Sequence, residues 1–181
     1  TNDPRWDGYE TPPVSNANYA WILHILSKLN VDTGIAGFLL ANGALDDSDT
    51  VSIRKKLIEN DKVEAIIVLP RQMFYTTDIS VTLWILNQNK KGGEWHGRNL
   101  RNREGEVLFI DLRTWNENVY EKKYVELKPE QIQAVCDIYH TWQISVPKGG
   151  SYKEGDEWKS HYAKPELYYA ASKDEILEKN A

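Results

Sequence analysis

Cysteine, methionine and phenylalanine are scarce in this chain, which holds one, one and three of them among 181 residues. The single cysteine, Cys136, excludes an intrachain disulfide and fits a reducing compartment. Long hydrophobic runs are missing too. No apolar stretch approaches the roughly 20 residues of a membrane span, and the opening Thr1-Asn2-Asp3-Pro4-Arg5 has none of the features of a signal peptide. A cytoplasmic protein without membrane contact is therefore expected. The four histidines, His24, His96, His140 and His161, are far apart, and neither Cys-x-x-Cys nor His-Glu-x-x-His occurs, so no metal site is expected. Nothing matches a Gly-x-Ser-x-Gly elbow, a Walker loop or Gly-x-Gly-x-x-Gly, which leaves hydrolase, nucleotidase and dinucleotide-binding functions without support. The net charge of -5 argues against wholesale electrostatic binding of nucleic acid while allowing a local basic patch.

What is present fits a globular α/β protein. Hydrophobic residues make up 41% and charged residues 27%, and the length most simply forms one domain with a sizeable core. Val63 to Leu69 is an almost unbroken apolar run, as in a strand covered on both faces, and Pro70 ends it. Val81 to Leu86 is a second such run. The link between them is too short for a crossover helix, so the two are predicted to be antiparallel partners. Between them lies Gln72-Met73-Phe74-Tyr75-Thr76-Thr77, an aromatic loop at the carboxyl end of a buried strand, where open α/β sheets place their ligands.

Upstream, Asn16 or Asn18 caps a predicted helix whose apolar stripe is Ile22, Ile25, Leu26 and Leu29. Ile35 to Ala41 reads as another buried parallel strand, closed by Asn42-Gly43. A helix from near Asp49-Thr50 points Ile53, Leu57 and Ile58 inward and Arg54, Lys55, Lys56 and Glu59 to water. Val107 to Leu112 is a further strand. Pro129 opens a helix with Ile132, Val135, Cys136 and Tyr139 on one face. Pro147-Lys148-Gly149-Gly150 reads as a linker, followed by a predicted short strand around Leu167 to Ala171 and a short helix from Lys173. The run from Lys90 to Arg103 carries five basic residues against Glu94, with Trp95 among them. It suits phosphate or a partner surface, but a solvated loop is the expectation. His24 reads as a surface or satisfied histidine and Cys136 as a small core hydrophobe.

Taken in order, Asn16-Ala17-Asn18-Tyr19-Ala20-Trp21-Ile22-Leu23-His24-Ile25-Leu26, Leu40-Ala41-Asn42-Gly43, Ile53-Arg54-Lys55-Lys56-Leu57-Ile58-Glu59, Leu69-Pro70, Phe74-Tyr75 and Val107-Leu108-Phe109-Ile110-Asp111 carry a likeness to a known family. The chain resembles the modification (methyltransferase) subunit of type I restriction-modification systems. The likeness runs from about Trp6 to Leu112 and is looser beyond, with Ser172 to Leu177 similar to that subunit's approach to its C-terminal segment.

The resemblance implies the C-terminal part of an S-adenosylmethionine-dependent methyltransferase that modifies N6 of adenine in DNA. Such an enzyme works with a specificity subunit and a restriction subunit, and it must extrude the base. It implies a Rossmann-like sheet, of which this chain supplies the last strands, the final one antiparallel, in residues 1–112, with a helical extension in 113–181. Phe74 stands where related adenine methyltransferases place an aromatic against the flipped base; Tyr75 is a second candidate and Asn42 a cleft residue. The family's Gly-rich cofactor segment and its catalytic Asn-Pro-Pro-Phe are absent. Thr11-Pro12-Pro13-Val14 lacks both the polar side chain and the aromatic and is a decoy. The expectation is thus a fragment with no catalytic or cofactor-binding residues of its own, inactive alone and inclined to self-associate through an exposed strand edge. The alternative is a non-catalytic module that uses the same half-sheet to dock a partner protein.

Overall fold

The computed structural model describes residues 3–120, 124–144, 151–154, 157–160 and 162–179. In chain order the elements are α1 (Asn18–Lys28), β1 (Ile35–Ala41), α2 (Val51–Glu59), β2 (Val63–Val68), β3 (Val81–Asn87), β4 (Gly93–Trp95), β5 (Arg98–Leu100), β6 (Glu106–Asp111), β7 (Val119–Tyr120) and β8 (Tyr124–Val125). There follow α3 (Pro129–Ile144), β9 (Ser151–Glu154), β10 (Glu157–Ser160), β11 (Ala163–Lys164), β12 (Tyr168–Ser172) and α4 (Lys173–Glu178). A six-stranded mixed sheet in the order β1-β3-β2-β6-β12-β11 forms the centre, with β4–β5, β7–β8 and β9–β10 as separate two-stranded hairpins. Only β2 and β6 pair in parallel; every other ladder of the sheet is antiparallel.

The predicted antiparallel pairing of β2 and β3 is present. The predicted buried parallel setting of Ile35–Ala41 is not. Strand β3 inserts between β1 and β2, so those two point the same way without sharing a ladder, and β1 lies at the sheet edge, antiparallel to β3. Its residues alternate: Phe38 and Leu40 pack toward the core, whereas Ile35 and Leu39 stand exposed. A continuous apolar run reads the same at an edge as at the centre, and strand order is what separates the two cases.

Two apolar layers sandwich the sheet. On one face α1, α2 and α4 bring Tyr19, Ile22, Leu23, Leu26, Ile53, Leu57, Ile58 and Ile176 against Ile66, Trp84 and Leu86. On the other, α3 brings Val135, Ile138, Tyr139 and Trp142 against Ala65, Ile67, Leu108 and Ile110. Helix α3 is therefore rotated from its expected stripe, since Ile132 is exposed and Cys136 only half-buried. Arg54 also departs from expectation. It is buried, with its guanidinium donating to the Asp47 carbonyl at 3.2 Å. Asn16 does serve the start of α1, its side-chain oxygen accepting from the Asn18 N–H at 3.0 Å.

Strand β2 is the hinge of this arrangement because it is buried on both faces. Its register against β3 slips between Val63 and Ala65, leaving Glu64 as the extra residue of a bulge. Bulges re-aim side chains. Here the slip turns the Glu64 carboxylate toward Tyr139 and Gln143 of α3.

Candidate functional site

The carboxyl ends of β1 and β2 lie together at one end of the sheet. There Asn42 follows β1 directly, and its N–H donates to the carbonyl of Ser80, the last residue before β3, at 2.9 Å. That bond ties the β1 exit to the end of the aromatic loop. The turn of Asn42–Leu45 is held from below by Tyr19, whose hydroxyl donates to the Ala44 carbonyl at 2.7 Å and whose ring meets Trp84 edge-on. The Asn42 Oδ1 is buried and has no hydrogen-bond partner among the described residues. An unpaired buried acceptor is costly, which makes this oxygen a place where a donor is wanted.

The loop after β2 keeps its shape with few bonds. Gln72 sits in the left-handed region at φ 61°, an uncommon setting for a residue with a side chain. Phe74 and Thr77 form an isolated bridge, and Arg71 and Asp78 pair at 2.7 Å in solvent. Phe74 is 37% exposed and Tyr75 67% exposed, so neither is sealed in the core. The loop is also fastened sideways: the Val125 N–H of β8 donates to the Gln72 carbonyl at 2.7 Å.

The opposite end of the sheet holds a different chemistry, and the expectation of a solvated loop from Lys90 to Arg103 fails there. That segment contains the β4–β5 hairpin, and three of its five basic residues, Lys90, Arg101 and Arg103, turn inward while Lys91 stays exposed. Arg103 and Glu64, with side chains 1% and 0% exposed, pair at 3.2 Å. The same carboxylate accepts from Tyr139, Gln143 and Asn87 at 3.2, 3.1 and 2.5 Å. Lys90 is buried against Asp61 at 2.5 Å and the carbonyls of Val63 and Glu106. Arg101 holds Glu106 with both terminal nitrogens, at 2.9 and 2.7 Å. Burial pulls the Lys90 ammonium below its usual range, with Asp61 opposing it, and burial beside Glu64 pushes the Tyr139 phenol far up. With four donors on one carboxylate, Glu64 is a structural hub rather than a free base. A cavity of about 440 Å³ opens beside it, lined among others by Leu83, Ile85, Trp95, Leu100 and Gln143.

Sequence reasoning passed over Glu64, although a lone carboxylate inside an apolar strand was the available signal. It also passed over Tyr120 and Tyr124, whose relation to the Phe74 loop depends on a contact made across more than forty residues. Among the described residues no group of three or more potential metal ligands comes together, and no helix is long and apolar enough to cross a membrane.

A family model described as N-6 DNA Methylase matches residues 1–180. The chain belongs to that family. The match carries the likeness seen in residues 6–112 through nearly the whole of this chain. Among the relatives, the type I restriction enzyme HindI methylase subunit of Haemophilus influenzae is 40% identical over 148 residues, covering 80% of this chain and 30% of the relative. The MjaIX methylase subunit of Methanocaldococcus jannaschii is 33% identical over 133 residues, covering 73% and 22%. The type I restriction-modification methyltransferase subunit of Streptococcus thermophilus shares the fold, with a TM-score of 0.74 at 24% identity over 99% of this chain and 31% of that one. The type I restriction enzyme EcoKI M protein also aligns, with a TM-score of 0.55 at 15% identity over 93% and 41%. The chain thus spans less than a third of the length of the curated relatives it matches.

Proposed function

We propose that this chain is the C-terminal part of the catalytic domain of a type I methylase subunit. The complete subunit transfers a methyl group from S-adenosylmethionine to N6 of adenine in DNA, together with a specificity subunit that reads the sequence and a restriction subunit. In this reading residues 1–112 supply four strands of the Rossmann-like methyltransferase sheet, and residues 113–181 extend that sheet with β12 and β11 and cover one face of it with α3. The order β1-β3-β2, with a reversed strand between two that point the same way, supports it.

The residues present do not make a cofactor site by themselves. The sequence has no Gly-rich turn of the cofactor-binding type and no Asn-Pro-Pro-Phe, and Asn42 Oδ1 offers a single unpaired acceptor. No step of methyl transfer is therefore assigned to this chain. Its part is to receive the base. Extrusion costs a few kcal/mol, and stacking on an aromatic ring returns about 1–3 kcal/mol. Phe74 supplies that ring, and the unpaired Asn42 Oδ1, at the exit of β1 on the same end of the sheet, is the second group assigned to the base. The observation that carries this reading is the half-open Phe74 side chain in the loop that leaves the doubly buried strand β2.

The test is Phe74→Ala in the DNA-methylating complex. Loss of roughly tenfold or more in kcat/KM is expected, with assembly intact and activity kept by Phe74→Trp. Unchanged methylation would overturn the assignment, and loss of assembly would favour a docking role for the loop. The 181-residue chain alone is expected to show no heat of binding with S-adenosylmethionine.

A further inference from the structure

The hairpin β7–β8 meets the Phe74 loop through Tyr124 and through the Val125 N–H, and it buries the Val125 side chain. Its register sets Val119 opposite Val125 and Tyr120 opposite Tyr124. Directly opposed residues of an antiparallel pair share one face, and the two tyrosine rings lie 5.2 Å apart, tilted by 35°. Tyr124 in turn meets Tyr75 of the aromatic loop at 6.0 Å. The Val125 to Gln72 hydrogen bond fixes this junction through the backbone, so the three rings are held in one cluster rather than meeting by chance. Yet Tyr75 is 67% exposed and Tyr120 47% exposed. Aromatic surface joined into a cluster and left open to water marks a contact site more often than isolated exposed side chains do.

We propose that Tyr75, Tyr120 and Tyr124 form a stacking platform for DNA bases that lie unpaired beside the one contacted by Phe74. This rests on the base-contact reading of Phe74 and extends it to a second segment of the chain. Tyrosine rings with hydroxyl tips suit a flat partner that is apolar on its faces and polar at its edges, which describes a nucleobase. The platform is continuous with the loop of the extruded base. Among the described residues, Arg71 is paired with Asp78 at 2.7 Å and Arg113 with Asp111 at 2.6 Å. The tyrosine side chains are uncharged, so what the rings contribute by stacking depends little on salt, unlike the contribution of phosphate contacts.

The experiment titrates the DNA-methylating complex against a target duplex carrying 2-aminopurine next to the target adenine, reading fluorescence, at low and high salt. With both Tyr120 and Tyr124 changed to Ala, affinity is expected to fall roughly tenfold or more at either salt concentration, and Tyr120→Phe with Tyr124→Phe restores it because the ring is kept. Tyr75→Ala gives a smaller loss in the same direction and covers the case in which the double variant fails to fold. Parental affinity in the Ala variants, or a loss the Phe variants do not repair, overturns the proposal. The two readings separate cleanly. If Phe74→Ala methylates normally while the tyrosine variants lose affinity, the base contact of Phe74 falls and the platform stands.

Discussion

Glu64 sits where a carboxylate is least at home, inside a strand buried on both faces, and four donors make that setting tolerable. Removing one partner of a buried pair leaves an uncompensated charge, which costs about 3–5 kcal/mol, a large share of the roughly 5–15 kcal/mol that holds a domain folded. Arg103→Ala is expected to lower unfolding free energy by about that amount in urea denaturation; a change lost in the error of the measurement would show that the network only fills space. Half of this was legible in the sequence. Glu64 stands out in Val63 to Val68 as a lone charge, but its partner lies 39 residues away in a segment whose composition reads as wet. Charge runs are recognised by content, whereas burial depends on which of their members face a distant carboxylate. The placement of Phe74 at the end of β2 needed no such distant knowledge, because a strand followed by Pro and aromatics says where the loop begins.

Helices and strands were read with more success than their neighbours. The apolar positions of α2 follow from a 3.6-residue period, as do Ile22 and Leu26 of α1, whose buried face also takes Tyr19 and Leu23 in place of Ile25, and the short link between β2 and β3 dictated their antiparallel pairing. The setting of β1 could not be read the same way, since periodicity gives the faces of an element and not its place in a sheet. The stripe of α3 was misjudged because Ile132 and Cys136 share its spacing without sharing its contacts. Strand β1 now has a consequence of its own. Ladder partners along its outer edge are missing among the described residues, and Ile35 and Leu39 are 43% and 46% exposed. Such an edge is a template for pairing with a second copy. The isolated chain is expected to elute as a dimer or larger species at high concentration, and Leu39→Lys is expected to shift it toward monomer; a parental chain that stays monomeric in sizing would refute edge pairing.

At the scale of the molecule, the sheet does not follow the order in which the chain is made. Strand β6 has β2 on one side and β12 on the other, so two segments far apart in the sequence, Val63–Val68 and Tyr168–Ser172, flank a single central strand. Five register pairs from Tyr168↔Ile110 to Ser172↔Glu106 hold that closing strand, and Ala170 and Ala171 are buried in it. Severing the backbone anywhere between Ile144 and Tyr162 should consequently yield two polypeptides on a denaturing gel but one peak on a sizing column. Continuity of the covalent thread and integrity of the particle are separate properties here, and the last strand works as a bolt rather than a tail.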